Sequence, residues 1–234
     1  MIRLDKYLCD IGIGTRSEVK DIVKKRRVTV DDVCITDSSF KFDETTSLVR
    51  LDGKELTYSE FFYYMMNKPA GVVSATEDDT DKTVLDLLGD EVNKKKLFPV
   101  GRLDKDTVGL LLITNDGELG HNLLHPSKHV DKCYYVELEK KITSDDIRKL
   151  EAGVDIGDDE PTKRASVEPI SSTSVYLTIS EGRYHQVKRM MEAVCNKVTF
   201  LKRVSFGALT LDEELQPGEY RELEEYEVSL LKKG

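Results

Sequence analysis

Short apolar segments set the first limit on the fold of this chain of 234 residues. Its longest uninterrupted run of apolar or aromatic side chains covers only residues 61–66. A membrane-spanning helix needs roughly 20 such residues, and the N-terminal segment MIRLDKYLCD contains no long apolar run of the kind that directs export. We therefore expect a globular protein of one or two domains that is cytoplasmic and has no membrane partner.

The apolar runs after residue 60 alternate irregularly with segments of helical spacing. The pattern predicts strands at 62–66, 71–75, 108–114, 133–139, 174–180 and 198–206, and helices at 116–124, 144–152, 184–195 and 223–231. Repeating βαβ units would alternate regularly. The irregular order favours an α+β fold with a mixed or antiparallel sheet.

Residues 1–48 contain no proline and predict two short helices followed by strands. The second helix has the clearer start, because Thr15 and Glu18 have the spacing of a capping box. Given roughly 100° per residue, one sector of about 80° on this helix holds four basic residues, which we call the basic ridge: Arg16, Lys20, Lys24 and Arg27. Residues 49–60 offer little for a core, so we expect a linker there and a second domain at 61–234.

The net charge of −9 argues at first against a nucleic-acid partner, because polyanions bind through Lys and Arg. Three acidic stretches together hold 17 excess negative charges: 77–91, 139–160 and 212–227. The rest of the chain therefore carries a net charge of about +8. Two windows, 16–27 and 183–203, hold six basic residues each. One basic window is typical of a solvated surface, but two that adjoin polar motifs favour RNA or DNA binding.

The densest candidate for chemistry is the segment GRLDKDTVGLLLITNDG at 101–117. Arg102 and Asp104 lie in a short polar turn directly before the predicted strand 108–114, so a rigid element could hold them against a ligand. An ordinary surface Arg-Asp turn at the entrance of a strand explains the same residues.

A second segment, EGRYHQVKRMM at 181–191, predicts a helix with an apolar stripe that includes Val187 and Met190. Lys188, Arg189 and His185 fall on the opposite side. A cation there could pair with a carboxylate from another segment and keep it ionised. A solvated basic helix face is the alternative interpretation.

Two further segments carry weaker signals. The turn NKPAGVV at 67–73 contains Lys68, and KCYY at 132–135 opens a strand in which Tyr134 and Tyr135 point to opposite faces. One of these tyrosines belongs to a core by ordinary expectation, but an aromatic ring beside a polar pocket also suits a stacked, unpaired base.

Two patterns indicate other chemistry. His121, His125 and His129 recur every four residues, as metal ligands on a helix do, but Pro126 interrupts that helix. The four cysteines are scattered and form no CxxC pair, so they indicate neither a disulfide scaffold nor a zinc site. The run DKDT at 104–107 matches the D-x-D-x-T of magnesium-dependent aspartyl phosphatases, although here the strand follows the motif instead of preceding it.

Taken in order, these segments resemble a known family. Residues 1–48, with RLDKYL and RRVTVDD, resemble the S4-like RNA-binding domain. The remainder resembles the catalytic domain of the RsuA-type rRNA pseudouridine synthases through NKPAGVVSA, GRLDKDTVGLLLITNDG, KCYYVEL and EGRYHQVKRM. The resemblance implies a small S4-like α/β domain followed by a mixed-sheet synthase domain. It also implies isomerisation of uridine to pseudouridine without cofactor or metal.

The resemblance assigns roles to individual residues. Asp104 maps to the catalytic Asp of the family, Lys188 to the cation that pairs with it, and Tyr134 to the tyrosine that packs against the flipped base. Arg102 maps to the residue thought to fill the gap that the uridine leaves. We further expect substrate contacts from Lys68, Arg183, His185, Gln186 and Arg189, and RNA contacts from Arg3 and the basic ridge.

The subfamily assignment rests on YHQVKRM at 184–190, which small-subunit enzymes carry, whereas large-subunit relatives show N-R-x-[V/I]-R-R there. This implies uridine 516 of 16S rRNA as the target, in free rRNA or in a partly assembled small subunit, and we expect a monomer. The alternatives are a large-subunit synthase of the same family, a magnesium-dependent aspartyl phosphatase, and a non-catalytic RNA-binding or assembly protein.

Overall fold

A computed structural model describes residues 1–56, 58–90 and 92–233. The chain forms two compact units. The first comprises Met1–Phe62 and Gly89–Lys95, and the second comprises the rest. In the described ranges, none of the helices has the length and apolar character of a membrane-spanning segment.

Over its described residues, the N-terminal unit has two helices and six short strands. Its elements are β1 (Ile2–Arg3), α1 (Leu4–Asp10), α2 (Arg16–Lys24), β2 (Val28–Val30), β3 (Val33–Cys34), β4 (Lys41–Phe42), β5 (Val49–Leu51) and β6 (Lys54–Leu56). Strands β1 and β4 pair with each other, and the other four form an antiparallel sheet in the order β3-β2-β5-β6. One core of buried residues from both helices and from strands of both sheets joins these elements, including Leu4, Leu8, Val19 and Val28.

The expected linker at 49–60 is wrong over residues 49–56, which form the hairpin of β5 and β6. Strand β5 pairs with β2 along its whole length, so the hairpin completes the sheet of the N-terminal unit. Asp52 and Gly53 have φ angles of 51° and 81°, as a two-residue hairpin turn requires. Residues 49–56 therefore belong to the fold of the first unit.

Helix α2 begins with the predicted capping box. Thr15 accepts a hydrogen bond from the backbone N–H of Glu18, and the Glu18 carboxylate accepts one from the backbone N–H of Thr15 at 2.7 Å. The helix ends at Lys24, and Arg26 has a φ of 61°. Arg27 therefore lies beyond the helix, which corrects its place in the basic ridge.

The second unit contains nine strands and four α-helices within the described residues. They are β7 (Tyr63–Lys68), β8 (Phe98–Pro99), β9 (Val108–Thr114), α3 (Gly117–Leu124), β10 (Lys132–Leu138), α4 (Ser144–Ala152), β11 (Ser166–Ser171), β12 (Ser174–Ile179), α5 (Gln186–Ala193), β13 (Val198–Phe206), β14 (Leu209–Thr210), β15 (Tyr220–Glu222) and α6 (Glu225–Lys233). Short 3₁₀ helices occupy Leu85–Leu87 and Pro126–Lys128.

These strands form one mixed sheet in the order β11-β12-β10-β13-β9-β7-β15, with β14 on β13 and β8 on β9. The pairs are antiparallel except for β9 with β13, so the predicted mixed α+β architecture is confirmed. Gly109 makes the parallel contact possible, because a Cβ atom at this position would lie 2.3 Å from the carbonyl oxygen of Arg203. Its φ of 101° also favours glycine.

Most predicted elements of this unit form within a few residues of their expected bounds. The strand expected at 71–75 does not form; Val73 makes only an isolated bridge to Thr83. Strand β11 was not predicted, because its burial pattern is almost entirely exposed and gives no alternating apolar signal. The missing strand leaves residues 69–75 as a loop beside the segment that carries Asp104.

Candidate active site

Asp104 lies in a short turn between β8 and β9, and buried neighbours fix this turn. Its carbonyl oxygen accepts a hydrogen bond from the backbone N–H of Thr107 at 3.0 Å. Leu103, directly before it, is buried and exchanges two hydrogen bonds with the Ser74 hydroxyl: Ser74 Oγ donates to the Leu103 carbonyl at 3.0 Å, and the Leu103 N–H donates back at 3.1 Å. The Asp104 side chain itself is 28% exposed. The turn thus presents this carboxylate to solvent from a fixed backbone.

Lys68 stabilises the same turn by binding its backbone carbonyl groups. Its side chain is fully buried at the end of β7, and its ammonium group donates to the carbonyl oxygens of Asp104 at 3.0 Å and Thr107 at 2.9 Å. It also contacts the carbonyls of Pro69 and Lys105 at 3.1 and 3.4 Å. Burial lowers the pKa of Lys68 from 10.5 to about 8, although the charges of Asp106 and Asp104 oppose this shift. The structure therefore gives Lys68 a positioning role in place of the expected substrate contact.

Lys188 reaches Asp104 from helix α5. Its Nζ atom lies 3.2 Å from Asp104 Oδ2 and 2.6 Å from Asp106 Oδ1. Burial acts against the charged form, but the hydrogen bonds to Asp106 and Asp104 outweigh it and raise the pKa of Lys188 above its usual value. The same pair lowers the pKa of Asp106, chiefly through the hydrogen bond from Lys188. One ammonium group therefore bridges two carboxylates more than 80 positions away in the chain.

His185 contacts the other carboxylate oxygen of Asp104. Its Nε2 atom lies 3.5 Å from Asp104 Oδ1, and its backbone adopts a left-handed φ of 49° directly before α5. A non-glycine residue in this conformation is uncommon. The two basic residues and the carboxylates line an open concavity of about 370 Å³ together with Ala70, Gly71 and Lys105.

Arg102 and Tyr134, two further predicted site residues, differ in their exposure to solvent. Arg102 is exposed, and within the described ranges its side chain makes no hydrogen bond or ion pair, so it is available to a ligand. Tyr134 is buried in β10, opposite Arg203 of β13. Burial lowers the pKa of Arg203, and the neighbouring Tyr134 side chain acts in the opposite direction. Tyr134 is therefore packed into the sheet and does not line the concavity around Asp104.

Three polar residues around His185 hold its loop. Gln186 is buried, accepts a hydrogen bond from the Arg183 N–H at 2.9 Å, and donates to Glu181 at 2.7 Å. Arg183 donates to the carbonyls of Glu160 and Pro161, at 2.6 and 2.9 Å. We expected substrate contacts from Gln186 and Arg183, but the side chains of both residues are already hydrogen-bonded within the protein.

Arg189 is engaged in the same way. It donates to the Ile156 carbonyl at 2.9 Å and the Tyr184 carbonyl at 3.0 Å, and it forms an ion pair with Asp158 at 2.5 Å. Arg183 pairs with Glu181 at 3.1 Å and with the same Asp158 at 3.5 Å. The charges of both arginines are therefore balanced by carboxylates beside them.

In the N-terminal unit, the predicted RNA-binding residues fall into two groups. Arg3 donates to Asp5 at 2.6 Å, and Arg27 forms an ion pair with Asp52 through two of its nitrogens. Three residues of α2 are exposed and make no hydrogen bond or ion pair within the part of the chain that the structure describes: Arg16, Lys20 and Lys24. Of the four residues of the predicted ridge, these three are thus unpaired and Arg27 is not.

Sequence reasoning missed Asp106 and Ser74 as parts of the site. Asp106 was noted only as the second Asp of a phosphatase pattern, although its place two residues after Asp104 was a usable signal for a second carboxylate. Ser74 carried no signal, because its role depends on a backbone carbonyl 29 residues away. Among the described residues, no group of three or more His, Cys, Asp or Glu side chains is arranged to hold a metal ion.

Comparison with known proteins identifies the family. Residues 62–193 match the family described as RNA pseudouridylate synthase, and residues 2–46 match the S4 domain. This chain belongs to the RNA pseudouridylate synthase family. The resemblance drawn from its motifs is confirmed, and the phosphatase alternative is set aside.

Relatives and a solved structure extend the similarity over the whole chain. An uncharacterized RNA pseudouridine synthase of Bacillus subtilis, YtzG, is 50% identical and covers 98% of both chains. The ribosomal small subunit pseudouridine synthase A of Vibrio cholerae is 48% identical over 97% of this chain and 98% of its own, and that of Escherichia coli K12 is 42% identical over 97% and 99%. A crystal structure of a pseudouridylate synthase, 36% identical, superposes with a TM-score of 0.70 over 99% of this chain and 100% of that chain.

Proposed function

We propose that this pseudouridine synthase acts on small-subunit rRNA and isomerises uridine 516 of 16S rRNA, with Asp104 as the catalytic residue. The observation that carries the proposal is the partly exposed Asp104 carboxylate, held 3.2 Å from the Lys188 ammonium group at the mouth of a concavity. The similarity to relatives named ribosomal small subunit pseudouridine synthase A supports the target.

The reaction is an isomerisation in which every non-hydrogen atom of the uridine is retained. The bond between N1 of uracil and C1′ of ribose breaks, the uracil turns, and C5 forms a new bond to C1′. The hydrogen on C5 leaves as a proton, and N1 gains one. Whether Asp104 attacks the sugar, attacks the base or assists elimination through a glycal, its carboxylate must be ionised.

Lys188 orients that carboxylate, because its ammonium group forms an ion pair with Asp104 Oδ2 at 3.2 Å. Lys68 and Ser74 hold the backbone of the turn, so Asp104 needs little reorganisation when the substrate arrives. We assign to Arg102 the space that the flipped base leaves. The contact between Tyr134 and the base, which the family resemblance implies, requires the base to reach past the concavity to the buried ring in β10.

The RNA must be bound strongly enough to offset base flipping, which costs a few kcal/mol. The S4 domain supplies the contacts in this proposal, through the three exposed and unpaired basic residues of α2: Arg16, Lys20 and Lys24. The substrate is rRNA, free or in a partly assembled small subunit, and the enzyme acts as a monomer.

The test maps carbodiimide-reactive pseudouridines in both rRNAs from cells with and without the gene. Loss of a single signal at position 516 of 16S rRNA, restored by a plasmid copy of the gene, is the expected result. Loss of a signal in large-subunit rRNA with an unchanged 16S pattern would replace the target with that of the large-subunit alternative. An unchanged pattern in both rRNAs would refute the proposal.

A further inference from the structure

We propose that Tyr184 forms a stacking subsite for an unpaired nucleobase next to the target uridine. The proposal rests on the function proposed above, because it requires an RNA strand at Asp104. Tyr184 is the most exposed aromatic side chain in the described ranges, with 76% of its surface accessible. Most large aromatic side chains bury much of their surface, so such exposure beside a reactive carboxylate points to a ligand.

The ring of Tyr184 stacks on His185, with centroids 3.8 Å apart and planes inclined by 17°. His185 in turn lies 3.5 Å from Asp104. The imidazole therefore stands between the carboxylate and the tyrosine and covers one face of the phenol ring. The other face is free to accept one base, one stacking layer further from Asp104 than His185.

The platform is rigid before RNA binds. The carbonyl oxygen of Tyr184 accepts a hydrogen bond from Arg189 at 3.0 Å, and the Arg183 side chain ties the preceding residue to the loop at 160–161. His185 adopts a left-handed backbone conformation directly before α5, and its ring packs against that of Tyr184. A base that stacks here thus meets a pre-organised surface and costs little ordering entropy in the protein.

Charge at this edge of the site favours a base over a phosphate group. The basic side chains next to Tyr184, Arg183 and Arg189, already pair with Asp158 and Glu181. They therefore release few counterions when RNA binds. Stacking is tolerant of base identity because every base has a π face, and it contributes little to salt dependence.

Steady-state kinetics on a 16S rRNA transcript, with Tyr184→Ala, Leu, Phe and Trp, test the subsite. Alanine substitution of a stacking aromatic weakens binding by an amount that corresponds to roughly 5- to 150-fold, so we expect this rise in KM for Y184A with kcat nearly unchanged. Y184F and Y184W keep a flat ring and should stay within about threefold of wild type, whereas Y184L should behave like Y184A. The ratio of KM values for Y184A and wild type should not change between about 50 and 200 mM salt.

Tyr226→Ala is the matched control, because Tyr226 is exposed at 59% on α6 and makes no hydrogen bond within the described residues. A second readout uses RNA fragments with 2-aminopurine beside the target. Wild type and Y184F should quench its fluorescence, and Y184A should not. This binding signal does not depend on turnover.

The outcomes separate the two proposals. Turnover by wild type with an unchanged KM for Y184A, an equal change for Y226A, or a loss confined to kcat would overturn the subsite alone. If the rise in KM for Y184A became smaller at higher salt, the contact would be electrostatic, and this result would also overturn stacking. Absence of turnover by wild type on small-subunit RNA would overturn the proposed function, and the subsite with it.

Discussion

Replacement of Lys68 by Met tests whether a buried ammonium group holds the turn that carries Asp104. In the folded protein, burial lowers the pKa of Lys68 from 10.5 to about 8. The unfolded chain therefore binds more protons than the folded chain between these two values, and the contribution of Lys68 to stability rises with pH across this window. At about 1.36 kcal/mol per pKa unit, the rise amounts to about 3 kcal/mol.

The assay is urea unfolding of wild type and K68M at intervals between about pH 7 and 10.5. The difference in unfolding free energy between the two proteins cancels the alkaline titration of all other groups. We expect wild type to gain about 3 kcal/mol relative to K68M from the low to the high end of this range. Lys82→Met, at an exposed position, should show a constant offset from wild type instead. A K68M difference independent of pH would refute the buried-cation account of this turn.

Three further predictions concern the site, the RNA surface and the sheet. Lys188→Met should reduce kcat by about 10²-fold with little change in RNA affinity, because a carboxylate without its partner loses its orientation. K188R should recover part of the lost kcat. An undiminished kcat in K188M would contradict the role of Lys188. Neutralising the three free residues of α2 should flatten the log-log salt slope of RNA binding by about 0.7 to 0.9 per residue. Arg27→Gln, which removes a residue paired with Asp52, should change the slope less. Filter-binding titrations that give the same slope for the neutralised variant and wild type would remove this surface from the interface. Gly109→Ala should destabilise the second unit by more than about 2 kcal/mol, because alanine is strained at a φ of 101° and its Cβ would overlap the Arg203 carbonyl. A thermal transition of G109A within about 2 °C of wild type would contradict this prediction.

The sequence predicted the parts of the fold that have strong local signals. Strand β9 consists almost entirely of buried apolar residues, and the capping box of α2 satisfies the helix terminus locally, so both could be read without knowledge of the tertiary structure. The Asp-Gly turn at 52–53 was a hairpin signal of the same kind. The segment nevertheless favours a linker by sequence, because residues 49–60 offer little for a core, and the strands that flank the turn are only three residues long.

The roles that sequence could not give depend on partners far away in the chain. Lys68 is an ordinary polar turn residue by sequence, and its burial follows from carbonyl groups of residues 104–107 that converge on it. Arg183 and Arg189 belonged to a basic window, but Asp158 from an acidic stretch neutralises part of that charge in the fold. The pairing of Asp104 with Lys188 came from the family resemblance and not from spacing.

The most direct test of the catalytic claim measures tritium released from C5 of labelled uridine in a 16S rRNA transcript by purified wild type and Asp104→Asn. The C5 hydrogen leaves only when the new bond to C1′ forms, so its release reports the isomerisation itself. Asp79→Asn is the matched control, since Asp79 is exposed outside the concavity and its substitution makes the same change in net charge. We predict no detectable release by D104N, RNA affinity within about threefold of wild type, and normal release by D79N. Release by D104N at a rate comparable to wild type would contradict the assignment of Asp104 as the catalytic residue.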